Sequence, residues 1–225
     1  MRFAPVPASP AVSAIVVALA IAATLSAQPT LRAAPSTRAT SEVTLSFPEG
    51  QEPSGAKPAS IRLDYGQPHL RGRTMHTDSL VPYDKPWRTG ANAATRLITD
   101  ADLVLGGVPL PKGTYVLFTL PSRTGWKLLV QKNGPEPEVT YDAKNDIARV
   151  DLRQRTTTEP TESLSMTLIP VTGASPARGE LRIAWGSFVL AADWKVPRRR
   201  DNRAGNIGRN HCNAVQRVIG IGIDH

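Results

Sequence analysis

From Ser60 onward the chain is a succession of short apolar runs with a period of two, closed off by glycine and proline. In Ser60-Ile-Arg-Leu-Asp-Tyr65, Ile61, Leu63 and Tyr65 alternate with Arg62 and Asp64, which puts the two sets on opposite faces of an extended strand. Thr114 to Leu120 and Trp126 to Lys132 flank Pro121-Ser-Arg-Thr-Gly125 and read as a β-hairpin with a glycine-containing loop. Ile147 to Leu152 predicts a further strand, and Leu164, Met166 and Leu168 alternate with Ser165 and Thr167. Leu181, Ile183 and Trp185 alternate with Arg182 and Ala184, and Phe188 to Val196 follows a turn expected at Gly186-Ser187. No long segment carries a 3.6-residue period. Roughly nine or ten half-buried strands, each needing a second layer over its apolar face, predict an all-β single domain over residues 60–197: an antiparallel β-sandwich, jelly-roll-like or barrel-like.

The flanks differ in character. Residues 1–27 read as an export signal, with Arg2 ahead of an apolar run from Ala11 to Leu25 and a cleavage site at Leu25-Ser-Ala27 before Gln28. An apolar run this short falls below the roughly 20 residues that span a bilayer; an uncleaved anchor is the rival reading. The expected location is therefore periplasmic or extracellular, with no transmembrane span after cleavage. Residues 28–59 have the Ala, Pro, Ser and Thr content of a linker, with one strand expected at a sheet edge over Val43-Thr-Leu-Ser-Phe47. Residues 198–225 break the strand pattern and are expected to be a disordered basic tail.

The formal net charge is +8, which raises the question of nucleic acid. After Val196, however, six arginines face only Asp201 and Asp224, so much of the excess sits in the tail. A solvated or membrane-attracted extension explains such a run, and no nucleic-acid partner is expected. The only cysteine is Cys212, which rules out an intrachain disulfide and any CxxC redox or zinc pair.

One segment obeys no period: Leu80-Val-Pro-Tyr-Asp-Lys-Pro-Trp-Arg-Thr-Gly-Ala-Asn-Ala-Ala-Thr95. As a binding site, Trp87 would stack on a ligand, Arg88 would clamp a carboxylate or phosphate bidentately, and Tyr83 and Asn92 would complete the surface. As structure, it would be a long loop crossing the sheet end, with Trp87 in the core and Arg88 satisfying buried carbonyls or an aspartate such as Asp64.

Residues 60–196 resemble the bacterial exported domain-of-unknown-function 2911 family. The resemblance rests on Asp64-Tyr65, Pro68, Gly72-Arg73, Leu80-Val-Pro-Tyr83, Lys85, Trp87-Arg-Thr-Gly-Ala-Asn92 and Ala94-Thr95, all in order. Downstream it continues through Gly106-Gly107, Pro111 to Tyr115, Leu117-Phe118, Pro121, Trp126, Tyr141, Asp146, Arg149-Val150 and Trp185. It implies export and a β-rich domain, and no reaction. Ala93 stands where a glutamate is common in that family, so no role leaning on that carboxylate carries over.

Catalytic constellations are weakly supported. His69 and His76 with Asp64 or Asp78 could form a two-histidine, one-carboxylate metal site, but nothing in the spacing demands it, and no metal or cofactor is expected. There is no G-x-S-x-G elbow. Asp64, Asp84, Asp142 and Asp146 could supply paired acids only if the fold sets two of them face to face. Gly106-Gly107 lacks phosphate-loop spacing and reads as a β-turn, and Trp126, Trp185 and Trp194 read as core. The leading expectation is an exported binding or envelope-associated module for a glycan or small anionic ligand, using Tyr83, Trp87, Arg88, Asn92, Asp64 and His69. The alternative is a hydrolase of a sugar or phosphate ester, using Asp64 and His69.

Overall fold

The computed structural model describes residues 31–77, 79–132 and 136–198, so the expected signal, most of the basic tail, and Asp78 lie outside the described residues. The chain divides into two units, Met1–Ala34 and Pro35–His225. Of the first, residues 31–34 are exposed and carry no strand. The described residues of the second are all-β, with nine antiparallel strands and one short 3-10 turn, Ala143–Asn145.

The strands are β1 (Thr37–Leu45), β2 (Ala59–Gln67), β3 (Arg96–Thr99), β4 (Leu103–Leu105), β5 (Val108–Leu110), β6 (Gly113–Pro121), β7 (Trp126–Gln131), β8 (Asp146–Pro170) and β9 (Arg178–Lys195). They form a single sheet in the order β1-β2-β3-β6-β7-β8-β9-β4-β5. The expected all-β antiparallel class is what is observed. The ladder is open, running from β1 at one edge to β5 at the other.

Where the alternating pattern is clear, strands fall as expected. Tyr65, Leu63 and Ile61 turn inward from β2, and β6 pairs with β7 through Pro121↔Trp126, closed by Ser122 N donating to Gly125 O at 2.8 Å. Gly106 and Gly107, at φ 53° and 87°, form the two-residue turn joining β4 to β5. Positive φ at both central positions suits the right-handed twist of a tight hairpin.

Three expectations are corrected. The edge strand begins at Thr37, six residues before Val43, and ends at Leu45. The two strands expected around Ile147–Leu152 and Leu164–Leu168 are one, β8, which pairs with β7 over Asp146–Leu152 and with β9 over Arg153–Pro170. The turn expected at Gly186-Ser187 is an irregularity within β9: Gly186 takes φ 56° and faces Thr161, where the register shifts. An extra residue accommodated by a left-handed glycine bends a strand without ending it.

The second half of β8 returns across β1 and β2. Its unpaired N–H groups donate to Pro68 O (from Leu164, 2.9 Å), the Tyr65 hydroxyl (from Met166, 3.0 Å) and Ser41 Oγ (from Leu168, 2.9 Å). Two of these three acceptors are side chains, so this face is joined by hydroxyls where a ladder is absent. The main core lies beneath, with Ile61, Leu63, Leu117, Leu128 and Leu164 fully buried. Each such side chain contributes about 1.5–3 kcal/mol on burial. On the opposite face of β6 and β7, Val116, Phe118 and Leu129 form a smaller cluster with Ala94, flanked by Val139 and Tyr141.

Candidate functional site

The Leu80–Thr95 segment is tied into the sheet by its backbone. Trp87 and Thr119 exchange hydrogen bonds at 2.7 and 2.8 Å, which fixes Trp87 as a strand-like residue beside β6. Successive side chains then point to opposite faces. Trp87 packs on the main core and stacks on Trp185, with ring centroids 5.4 Å apart and planes 10° apart. Arg88 lies on the other face, exposed, beside Val116, Phe118 and Val139, and its Nη1 donates to Asn92 O at 3.0 Å. The stacking plane and the guanidinium fork therefore do not converge on one ligand.

The remaining groups of the segment serve its shape. The buried Thr95 hydroxyl donates to Thr89 O at 2.9 Å, and the Thr89 hydroxyl donates to Thr119 Oγ1 at 3.1 Å. Asn92 takes φ 58°, a conformation asparagine tolerates, and its Nδ2 reaches Ser36 O at 3.4 Å. A Cβ on Gly66 would sit 1.8 Å from Ala91 O, so β2 must carry glycine where the loop crosses it. Tyr83 stacks on His76 at 4.2 Å, and the Arg123 guanidinium lies 5.2 Å from its ring centroid.

Asp64 and His69 take separate partners. Asp64 Oδ1 accepts from Arg38 Nε at 2.6 Å, and the same guanidinium donates to Asp64 O (3.1 Å), Ala93 O (3.0 Å) and Ala94 O (2.9 Å). The carbonyl-binding role considered for Arg88 thus belongs to Arg38, on a strand in the segment read as linker. His69 Nδ1 lies 2.6 Å from Ser163 Oγ.

Of the other carboxylates considered, Asp142 caps the 3-10 turn. Asp146 accepts from Gln131 (2.7 Å), the Tyr141 hydroxyl (2.8 Å) and Arg149 (2.8 Å). Burial, with this carboxylate next, pushes the Tyr141 hydroxyl above its ordinary value. Among the described residues no three His, Cys, Asp or Glu side chains gather as a metal-binding group.

A different surface has the form of a binding site. Along the ends of β8, β9 and β4 runs an open groove of about 750 Å³, lined among others by Ile169, Arg178, Gly179, Arg182, Trp194 and Lys195. Its charges fall into two groups. Arg182 pairs with Glu180 at 2.7 Å, and Arg153 pairs with Asp193 (2.8 Å) and Glu180 (3.2 Å). The Asp193 carboxylate holds the Arg153 proton more tightly than usual. Arg178 and Lys195 are exposed and make no ion pair with any described residue.

Beneath them lies Trp194, 2% exposed, whose Nε1 has no acceptor. The only other buried side-chain atom without a partner among the described residues is His76 Nε2, which sits among the rings of Tyr83, Trp126 and Phe188. Gly179 admits the indole: a Cβ there would come within 2.5 Å of the Trp194 ring. Sequence reasoning placed Trp194 in the core, correctly as to burial, and passed over Arg178, Gly179 and Lys195. No spacing could have found them, since the groove is assembled by a hairpin and by the distant β4.

No curated protein and no solved structure matches the chain. Residues 50–193, well over half of the 225, match the model of a family described as a protein of unknown function (DUF2911), and the chain belongs to that family.

Proposed function

We propose that this protein is exported and acts as a non-catalytic, envelope-associated binding module for a small anionic ligand, held in the groove of Arg178, Trp194 and Lys195. Export is supported by Arg2 and the apolar run from Ala11 to Leu25. Among the described residues no helix is long and apolar enough to cross a membrane.

The observation that carries the ligand reading is a groove of ligand size that holds two exposed cations, Arg178 and Lys195, neither in an ion pair with any described residue. Two cations outside the ion pairs that Glu180 and Asp193 make with Arg153 and Arg182 favour an acidic ligand over a neutral glycan. The hydrolase alternative has less support, because Asp64 is bonded to Arg38 and His69 to Ser163.

Calorimetric titration against a panel of organic carboxylates, phosphate esters and uronic-acid oligosaccharides tests the proposal. At least one should bind, and the double substitution Arg178→Gln with Lys195→Gln should weaken it tenfold or more. A panel without binding, or binding indifferent to both substitutions, overturns it.

A further inference from the structure

The turn between β8 and β9 separates two depressions. On its other side lies a second groove of about 490 Å³, walled by Leu45, Phe47 and Pro48 from the end of β1 and by Pro170, Val171 and Ala177 from the hairpin. Both grooves share Pro170, Val171, Arg178 and Trp194. Arg178 stands at the hairpin base, where its carbonyl accepts from Val171 N at 2.8 Å.

The second groove has a mixed lining, with Thr44, Ser46 and Ser175 beside its apolar wall. From Pro35 on, three large hydrophobic side chains are exposed among the described residues, and two of them line it: Phe47, 45% exposed, and Val171, 50% exposed. Single exposed hydrophobics need no explanation, but two flanking one groove beside a cation that pairs with no described carboxylate do. A small hydrophilic anion would meet Arg178 and leave Phe47 and Val171 wet.

We infer that the ligand is an amphiphilic anion, a single alkyl or acyl chain ending in a carboxylate or phosphate. The head group meets Arg178, whose planar fork suits either acid, with Lys195 on the same side. The chain runs over the hairpin base against Phe47 and Val171, and hydrophobic burial supplies affinity in proportion to chain length. This inference rests on the anion-binding reading and adds to it the chemical class of the ligand.

The test is titration of the purified protein with straight-chain carboxylates of two to twelve carbons, each kept below its micelle concentration. Affinity should rise about two- to fourfold per methylene until the groove is filled. Phe47→Ser with Val171→Ser should weaken dodecanoate tenfold or more while leaving acetate unchanged, and both sites are exposed, so folding survives, as an unfolding curve verifies. Dodecanol should bind at least tenfold more weakly than dodecanoate.

Each contrary outcome is distinct. If short anions bind through Arg178 but chain length adds nothing, the amphiphile fails and the anion reading stands. If dodecanol equals dodecanoate, the head group has no role and the inference is overturned. If only phosphatidylglycerol vesicles bind and monomeric dodecanoate does not, the surface docks on membranes and this inference is wrong. If no anion of any length binds, both readings fall.

Discussion

Arg38 donates to three backbone carbonyls and one carboxylate, whereas Arg88 makes a single bond to the carbonyl of Asn92 four residues on. The first arginine joins β1, β2 and the Leu80–Thr95 segment; the second joins a loop to itself. Arg38→Ala should therefore lower stability by about 1–2 kcal/mol, its partial exposure moderating the loss of charged hydrogen bonds. Arg88→Ala should stay within about 0.5 kcal/mol. Urea unfolding of the two variants side by side checks this, and equal effects would mean that the contacts at Arg38 carry no net stability. At this scale composition was legible and geometry was not. The non-periodic run around Trp87 announced a specified loop, but the alternation that separates Trp87 from Arg88 follows from pairing with Thr119, thirty-two residues away.

At the scale of elements, β8 and its neighbours carry the most consequence. The Met166 N–H is buried and has the Tyr65 hydroxyl as acceptor, from a strand with which β8 makes no ladder. Tyr65→Phe leaves that donor unsatisfied while preserving the ring, and should cost about 1–3 kcal/mol. The Met166 amide should also exchange with deuterium faster than those of Ser165 and Thr167, which face β9. Unchanged protection at Met166 would show that water or a shifted backbone replaces the hydroxyl. Period-two patterning found β2, β6, β7 and both segments of β8, because alternating burial is a local property of a half-covered strand. It could not show that the segments of β8 are continuous, since the polar stretch between them, Arg153 to Ser163, reads as a connection. It also read Gly186 as a stop, when a left-handed glycine in mid-strand bends the chain and lets pairing resume.

For the whole molecule, alkaline titration reports on two phenols, Tyr115, which is buried, and Tyr141, which is partly so. Burial first and the Asp102 charge second raise the Tyr115 hydroxyl, which donates to Pro111 O; burial and Asp146 raise Tyr141. Each proton is held more tightly in the folded chain than in the unfolded one. Their contribution to stability is complete below about pH 10, the ordinary tyrosine value, and is lost as pH climbs through the raised values. Replacing both by phenylalanine should flatten the fall in urea midpoint between about pH 9 and 11; parallel declines in wild type and variant would refute it. The family match begins at residue 50, yet β1 lies upstream of it and supplies Arg38 and Ser41. The edge strand is thus structural although its surroundings have linker composition, which is why composition alone hid it.

Because β8 lends its first residues to one partner and the rest to another, no cut through the chain between β2 and β9 separates two self-sufficient halves. Either piece would lack a ladder that the other retains. In engineering terms the sheet is indivisible: it can be transplanted whole or decorated at the exposed Arg123 and Thr124 of the β6–β7 turn, but a chimera that exchanges one half for a relative's must match a shared beam at every pairing position along its length.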